Sequence, residues 1–312
     1  MALNYAEIWS PELLAIRTQE SLTSPFLVPN VKWLGAKTFH FTQMSTSGFK
    51  NHSRQGGWNR GSYAQLDNEF KVEFSRDVEF LVDKADVDET NATASIENIS
   101  KTFELTQATP ESDAHFFSKV ATKAIAASLY AETAVASYTK ANVLTKLKEH
   151  IAKVKKYRRS IIVYVASHIM DKLELSTEMQ RKIELTTIAD GGIGIETRFT
   201  SIDGVPILEV MEDERFYDKF NFNPIDGGYE PISKAEGVTG SKKLNVLIAS
   251  TETVVTVPKI SSIYFFAPGT HTEGDGWLFQ RRDDYDTFVF PNGKDNKIDS
   301  VFVDYDTAEY GA

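Results

Sequence analysis

Cysteine is absent from the 312 residues. Disulfides, thiolate nucleophiles and cysteine metal sites are therefore excluded, and stability beyond a packed core has to come from contacts with other subunits. Long apolar runs are missing as well. Stretches such as Ile161-Ile162-Val163-Tyr164-Val165-Ala166 fall far short of the ~20 residues that cross a bilayer as a helix. Met1 to Glu7 carries neither a basic nor an apolar signal region, so no secretory or membrane-anchoring segment is read. Basic charge is in deficit, 34 Lys and Arg against 44 Asp and Glu, for a net charge of −10. Reading a DNA sequence needs a cationic footprint that the chain as a whole lacks. Loose contact with packed DNA remains compatible with it.

The motifs of catalysis are also wanting. Histidines stand at 40, 52, 115, 150, 168 and 271, without metal-pair spacing and without His-Glu-x-x-His. Gly237-Val238-Thr239-Gly240-Ser241-Lys242 has the wrong glycine spacing for a phosphate loop, and Gly191-Gly192-Ile193-Gly194 is not a dinucleotide fingerprint. Asp83, Asp86, Asp88 and Glu89 lack the central glycine and closing glutamate of a calcium loop. No Gly-x-Ser-x-Gly elbow occurs. No catalytic, cofactor-binding or metal-binding residue is assigned, and an enzyme is not expected.

Hydrophobic residues are 41% of the chain, the level of a folded globular protein. Residues 1–36 read as an extended arm with one short helix at Ser10–Arg17, followed by extended backbone around Pro25 and Pro29. Residues 37–83 read as a long β-hairpin. Its returning strand puts Phe70, Val72, Phe74, Val78, Phe80 and Val82 on one face, with Lys71, Glu73, Ser75, Asp77 and Glu79 on the other. The tip, Ser47 to Leu66, contains Lys50, His52, Arg54 and Arg60 and no acidic residue. With Trp58 these cations are candidates for contact with an acidic neighbour, beside the plainer reading of a solvated loop.

Thr109-Pro110-Glu111-Ser112-Asp113 reads as a helix start, and the alanine-rich stretch behind it predicts one continuous helix over 113–138. A second helix, Thr139 to Tyr157, is amphipathic and basic, with Val143, Leu144, Leu147, Ile151 and Val154 inward. Its basic end, Lys153 to Arg159, suits the helix dipole. Ser160–Ala166 reads as a buried strand, Ser167–Leu173 as a short helix, and 195–200 and 205–211 as strands around an Asp203-Gly204 turn. Phe220–Lys243 reads as a loop. Strands follow at 244–248, 253–257, 260–266, 277–279, 286–290 and 300–303. Arg281, Arg282, Asp283 and Asp284 read as an ion-pair network at a subunit contact, in preference to acid–base chemistry.

The order of these pieces resembles the major capsid protein of tailed bacteriophages, the Hong Kong 97-type fold. Four stretches are similar to coat proteins of phages of Gram-positive hosts: Phe74–Lys84, Pro110–Lys119, Ile202–Ile207, and Asp275–Arg282 continued by Tyr285–Val289. The resemblance implies an α+β chain with an N-terminal arm (1–36), an E-loop hairpin (37–83), a P-domain with a spine helix (84–157), an A-domain (158–257) and a closing P-domain β segment (258–312). It implies a structural subunit that assembles with itself into pentamers and hexamers, closing an icosahedral head around double-stranded DNA. The implied location is the virion, with the host cytoplasm during assembly. A portal protein and a separate scaffolding protein are the implied partners, with non-specific contact to packaged DNA and no membrane. The early start of the hairpin, near residue 37, leaves no room for a built-in scaffold. Some relatives crosslink a hairpin lysine to a neighbour's asparagine; Lys50 with Asn292 or Asn296 are the positions here, against the plainer reading of free surface residues. The alternative from the same world is a tail-tube or head-decoration subunit, which would show little helix.

Overall fold

The computed structural model describes residues 21–28, 38–52, 58–83, 96–157, 160–176, 200–211, 213–225, 227–272, 274–291 and 297–311. Arg54, the Ser10–Arg17 helix, Asp86, Asp88, Glu89, Gly191–Gly194, Asn292 and Asn296 lie outside them. In chain order the strands β1 (Thr38–Thr46), β2 (Tyr63–Lys71) and β3 (Ser75–Asp83) come first. Helix α1 (Ile96–Phe103) runs through a π-helical turn, Glu104–Ala108, into α2 (Thr109–Ala126). Then follow β4 (Tyr130–Glu132), α3 (Val143–Lys153), β5 (Ile161–Ala166), α4 (Ser167–Glu174), β6 (Thr200–Ile202) and β7 (Val205–Val210). The chain ends with β8 (Phe220–Asn221), β9 (Glu230–Pro231), β10 (Lys242–Ser250), β11 (Val254–Phe266), β12 (Gly276–Val289) and β13 (Val301–Glu309).

A six-stranded sheet, ordered β4-β13-β10-β5-β7-β6, forms the middle layer. Its strands alternate as the pleat requires. Ile162, Tyr164, Leu208, Leu247, Val301 and Val303 face α2, through Phe116, Phe117, Val120, Ala121 and Ala124. Ile161, Val163, Val165, Ile207, Val246, Ile248 and Phe302 face the other way, onto Val143, Leu147, Ile151 and Val154 of α3 and Ile169, Met170 and Leu173 of α4. With helices on both faces, β5 is buried at every position, and its β-branched run follows from that. Asp203 (φ 53°) and Gly204 (φ 78°) make the β6–β7 turn, both residues in the left-handed region as the primed hairpin turn demands.

The long helix lies earlier than 113–138. It starts at Ile96, and Pro110 sits inside it. A proline there would clash with the carbonyl one turn back and leave a bond unmade. The π-helical turn just before it, where Thr109 N–H donates to Glu104 O, resets the ladder and relieves both. At about 1.5 Å per residue the combined helix is about 45 Å long. It ends at Ala126 because the chain closes a Schellman motif: Ser128, at φ 59°, donates its N–H to Ile125 O (2.9 Å), and Leu129 donates to Ala124 O (2.9 Å). Residues 130–132 then become β4, parallel to β13, where a helix had been expected.

The returning strand of the hairpin is also cut in two. The parity survives, with Val72 and Val82 buried and Lys71, Glu73, Ser75, Asp77 and Glu79 exposed. Between β2 and β3 the backbone leaves one ladder for another: Glu73 N–H donates to Asp286 Oδ2 (3.3 Å), and Tyr285 N–H to Phe74 O (3.1 Å). β2 pairs with β1 from Thr46 opposite Tyr63 to Thr38 opposite Lys71, while β3 joins β12 in the three-stranded sheet β11-β12-β3. The strands expected at 253–257 and 260–266 are one, β11, with an irregularity between Pro258 and Ile260. Those at 277–279 and 286–290 are joined through Arg281–Asp284 into β12. Residues 258–312 therefore divide between the two sheets, since β13 belongs to the central one.

Candidate subunit-contact surfaces

The β1–β2 ribbon forms a sheet of its own. Its nine-residue strands span about 30 Å. Ser47 N–H donates to Ser62 O (2.8 Å) and Ser62 N–H to Ser47 Oγ (2.9 Å), closing the ladder below the tip. Asn59 Nδ2 donates to Asn51 O (2.8 Å) across the tip. At its base Phe70 packs edge-on against Phe288 and Phe290, with ring centroids 5.4 and 5.1 Å apart. Toward the tip Phe49 is fully exposed, Trp58 is 95% exposed and Tyr63 76%. Lys50, His52 and Arg60 are exposed beside them. Large aromatic area left in water at the end of a two-stranded ribbon is a standing free-energy penalty, and such ribbons are marginal unless something covers them.

The Arg281–Asp284 cluster is arranged otherwise than expected of a contact site. Arg281 is buried and pairs with Glu104 of the π-helical turn and, at 2.7 Å, with Asp283. Asp283 also accepts from Ser261 Oγ (2.8 Å). Asp284 is fully buried, accepts from Ser75 Oγ and pairs with Arg282 at 3.2 Å. These partners all lie within the subunit: they pin α1 and the π turn to the three-stranded sheet. Arg282 alone of the four presents a half-exposed side chain.

Three groups that motif reasoning passed over hold these surfaces in place. Asp113, fully buried on α2, accepts from Ser21 Oγ (2.7 Å), Leu22 N–H (3.1 Å), Thr23 N–H (3.3 Å) and Thr23 Oγ1 (2.7 Å), and pairs with Arg215 (3.1 Å). It ties residues 21–28 across the long helix, with Phe26 seated against Phe116 (4.8 Å) and Tyr164 Oη donating to Leu22 O. Arg76 on β3 pairs with Glu111 (2.5 Å) and donates to the carbonyls of Phe222 and Gly228, fixing the β8–β9 hairpin beside α2. Clefts of about 640 and 690 Å³ flank this arginine, whose donors are engaged by protein groups. His115 is buried in a ring stack with Phe74 (4.1 Å). Burial, aided by the Lys119 charge, lowers its pKa to about 3, so the 3.5 Å approach to Asp286 is that of a neutral ring. The one sequence cue to Asp113 was a carboxylate inside an otherwise apolar helix face.

Among the described residues no three or more His, Asp or Glu side chains are grouped so as to hold a metal, and no helix is long and apolar enough to cross a membrane. Neither a protein-family model nor a curated protein sequence matches the chain. Solved structures do. The mature capsid of bacteriophage PhiM1 superposes with a TM-score of 0.57 at 14% identity, over 87% of this chain and 82% of that one. The capsid of cyanophage P-SCSP1u gives 0.55 at 11% identity over 91% and 87%, and a structure from Mycobacterium phage Cain gives 0.56 at 12% over 91% and 89%. Likeness of this extent at such low identity is likeness of backbone: the chain has the α+β, Hong Kong 97-type fold of phage capsid proteins.

Proposed function

We propose that this chain is the major capsid protein of a tailed bacteriophage, assembling as pentamers and hexamers into an icosahedral head around double-stranded DNA. The observation that carries the reading is the β1–β2 ribbon. It holds Phe49 and Trp58 fully in water, away from the subunit's cores. A subunit that evolved to work alone has no use for such an arm, whereas a shell subunit can bury it on a copy of itself. The capsid fold, matched over about nine-tenths of the chain, points to the same reading. Lys50, Arg54, Trp58 and Arg60 are then contact residues, meeting an acidic neighbour. Among Arg281, Arg282, Asp283 and Asp284, Arg282 is the one placed to reach another subunit. The five segments named from the resemblance serve as arm, E-loop, P-domain, A-domain and closing strand. Scaffolding and portal proteins are the partners such a head takes, the host cytoplasm the place of assembly and the virion its destination.

Electron microscopy of the protein expressed with and without the other head proteins of its phage tests this. Closed shells with five- and six-fold units are expected. Tubes, or decoration of a shell built by another protein, would refute the reading in favour of a tail-tube or head-decoration role.

A further inference from the structure

The stretch Thr139–Tyr157 runs against the charge of the rest of the chain. It holds six lysines (140, 146, 148, 153, 155 and 156) and one acid, Glu149, a net of +5. With the whole chain at −10, the remainder stands at −15. The structure concentrates these cations. Helix α3 is pinned to the central sheet by Val143, Leu147, Ile151 and Val154, so it cannot turn its lysines elsewhere. Lys140, Lys148, Lys153, Lys155 and Lys156 are exposed. The ammonium groups of Lys146 and Lys153 rest over the rings of Tyr138 (4.5 Å) and Phe302 (4.2 Å), which limits their wandering.

The fold itself does not call for this charge. Cations at a helix C-terminus are favourable, which accounts for Lys153 and its neighbours. Lys140 and Lys146, however, sit at the N-terminal end, where the dipole opposes them and the first turn carries no acid. Ion pairs made by these lysines among the described residues are confined to Lys156 with Asp299. Exposed glutamine or threonine would serve the helix as well, without the self-repulsion.

We infer that the outer face of α3 and its flanks is a binding surface for the phosphate backbone of double-stranded nucleic acid, read without regard to sequence. The inference rests on the capsid reading for its source of duplex, the packaged genome. The surface chemistry selects this partner over an acidic protein. Protein interfaces are built around an apolar or aromatic centre, and none of the exposed large hydrophobic side chains among the described residues falls between 139 and 157. Phosphate contact needs no apolar centre, only cations spread over the surface. Each subunit offers few contacts, and a shell multiplies them.

The test uses the full-length soluble subunit and a fluorescein-labelled duplex of random sequence, titrated by anisotropy over a salt series. For about four phosphate contacts, affinity should fall roughly 100-fold between 50 and 200 mM salt. The variant Lys140→Gln/Lys148→Gln/Lys155→Gln removes lysines with no bonded partner among the described residues; it should bind at least ~10-fold more weakly at low salt and with a shallower salt slope. Equal binding by wild type and variant, or no duplex binding by the wild type at 50 mM salt, overturns the inference. So does a preference for poly-glutamate of matched charge, which would make the partner an acidic protein. Shell formation, scored separately by microscopy, keeps the two ideas apart. Shells without duplex binding sink this inference alone; duplex binding lost in the variant, without shells, supports it while the capsid reading fails.

Discussion

Replacing Asp113 by asparagine keeps the shape of the side chain and removes its charge. The carboxylate is fully buried and collects four donors from Ser21, Leu22 and Thr23, besides its pair with Arg215. Asparagine offers one oxygen, and its amide would face donors that need an acceptor. Hydrogen bonds to a charged group contribute about 1.5–3 kcal/mol each, and breaking one side of a buried ion pair costs about 3–5 kcal/mol. The lower end applies, because the Arg215 side chain is 11% exposed and can recruit water. A loss of about 3 kcal/mol is a large share of the ~5–15 kcal/mol by which a folded domain is stable. In calorimetry of the unassembled subunit, Asp113→Asn should melt roughly 4–6 °C below the wild type, because the unfolding entropy of a 312-residue chain is large. Limited proteolysis should cut first at residues 21–28, which lose their anchor. Adding Thr23→Ala to Asp113→Asn should cost little more, because the interaction is already gone. A melt within ~1 °C of wild type, with residues 21–28 still protected, would refute the claim that this carboxylate anchors the arm.

Gly276→Ala should impair folding of the three-stranded sheet, because a Cβ there would stand 2.4 Å from the Val82 carbonyl oxygen, and backbone has to move; soluble yield and melting temperature report it. His115 and His150 have pKa values lowered by burial to about 3 and about 4, from 6.5. Between pH 6.5 and those values the unfolded chain binds more protons, so stability is intact above pH 6.5 and falls on acidification, by on the order of 1 kcal/mol per pH unit for each histidine; urea titrations at several pH values should show this, and His115→Gln should flatten the dependence. The variant Lys50→Glu/Arg54→Glu/Arg60→Glu should fold as a subunit, because Lys50 and Arg60 are exposed beside the tip, yet fail to form shells or do so with strong salt dependence. Normal particles at normal yield would make the tip charges ordinary surface charges.

The core of the protein was legible because its signals are local and repeated. The buried run at 161–166, the α3 stripe of Val143, Leu147, Ile151 and Val154, and the Asp203-Gly204 turn each announce one structure through one mechanism. The errors fall at junctions where a long-range partner overrides a local rule. Pro110 normally marks a helix start, but a π-helical turn lets the helix run through it. The stop after Ala126 was hidden because the Schellman position is filled by Ser128, without the glycine that usually advertises it. Alternation from Phe70 to Val82 specifies which side faces inward, not which strand lies alongside, so a change of partner at Glu73 leaves no trace in the pattern.

The charged clusters were legible as chemistry and misread as position, for a related reason. Arg281, Asp283 and Asp284 look like a surface group because charge is expensive to bury alone. In the three-stranded sheet they are buried together, with Glu104 and the Ser75 and Ser261 hydroxyls completing the set. That set spans strands and a helix far apart in sequence, and no spacing rule could gather it. The same reasoning runs in reverse for the lysines of α3 and the cations of the hairpin tip. They stay exposed because the described residues bring few acids to them, and the chain's excess of acid lies elsewhere. Charges that the subunit neutralises internally mark where it is held together; those it leaves uncompensated are, on the proposals made above, where it meets something else.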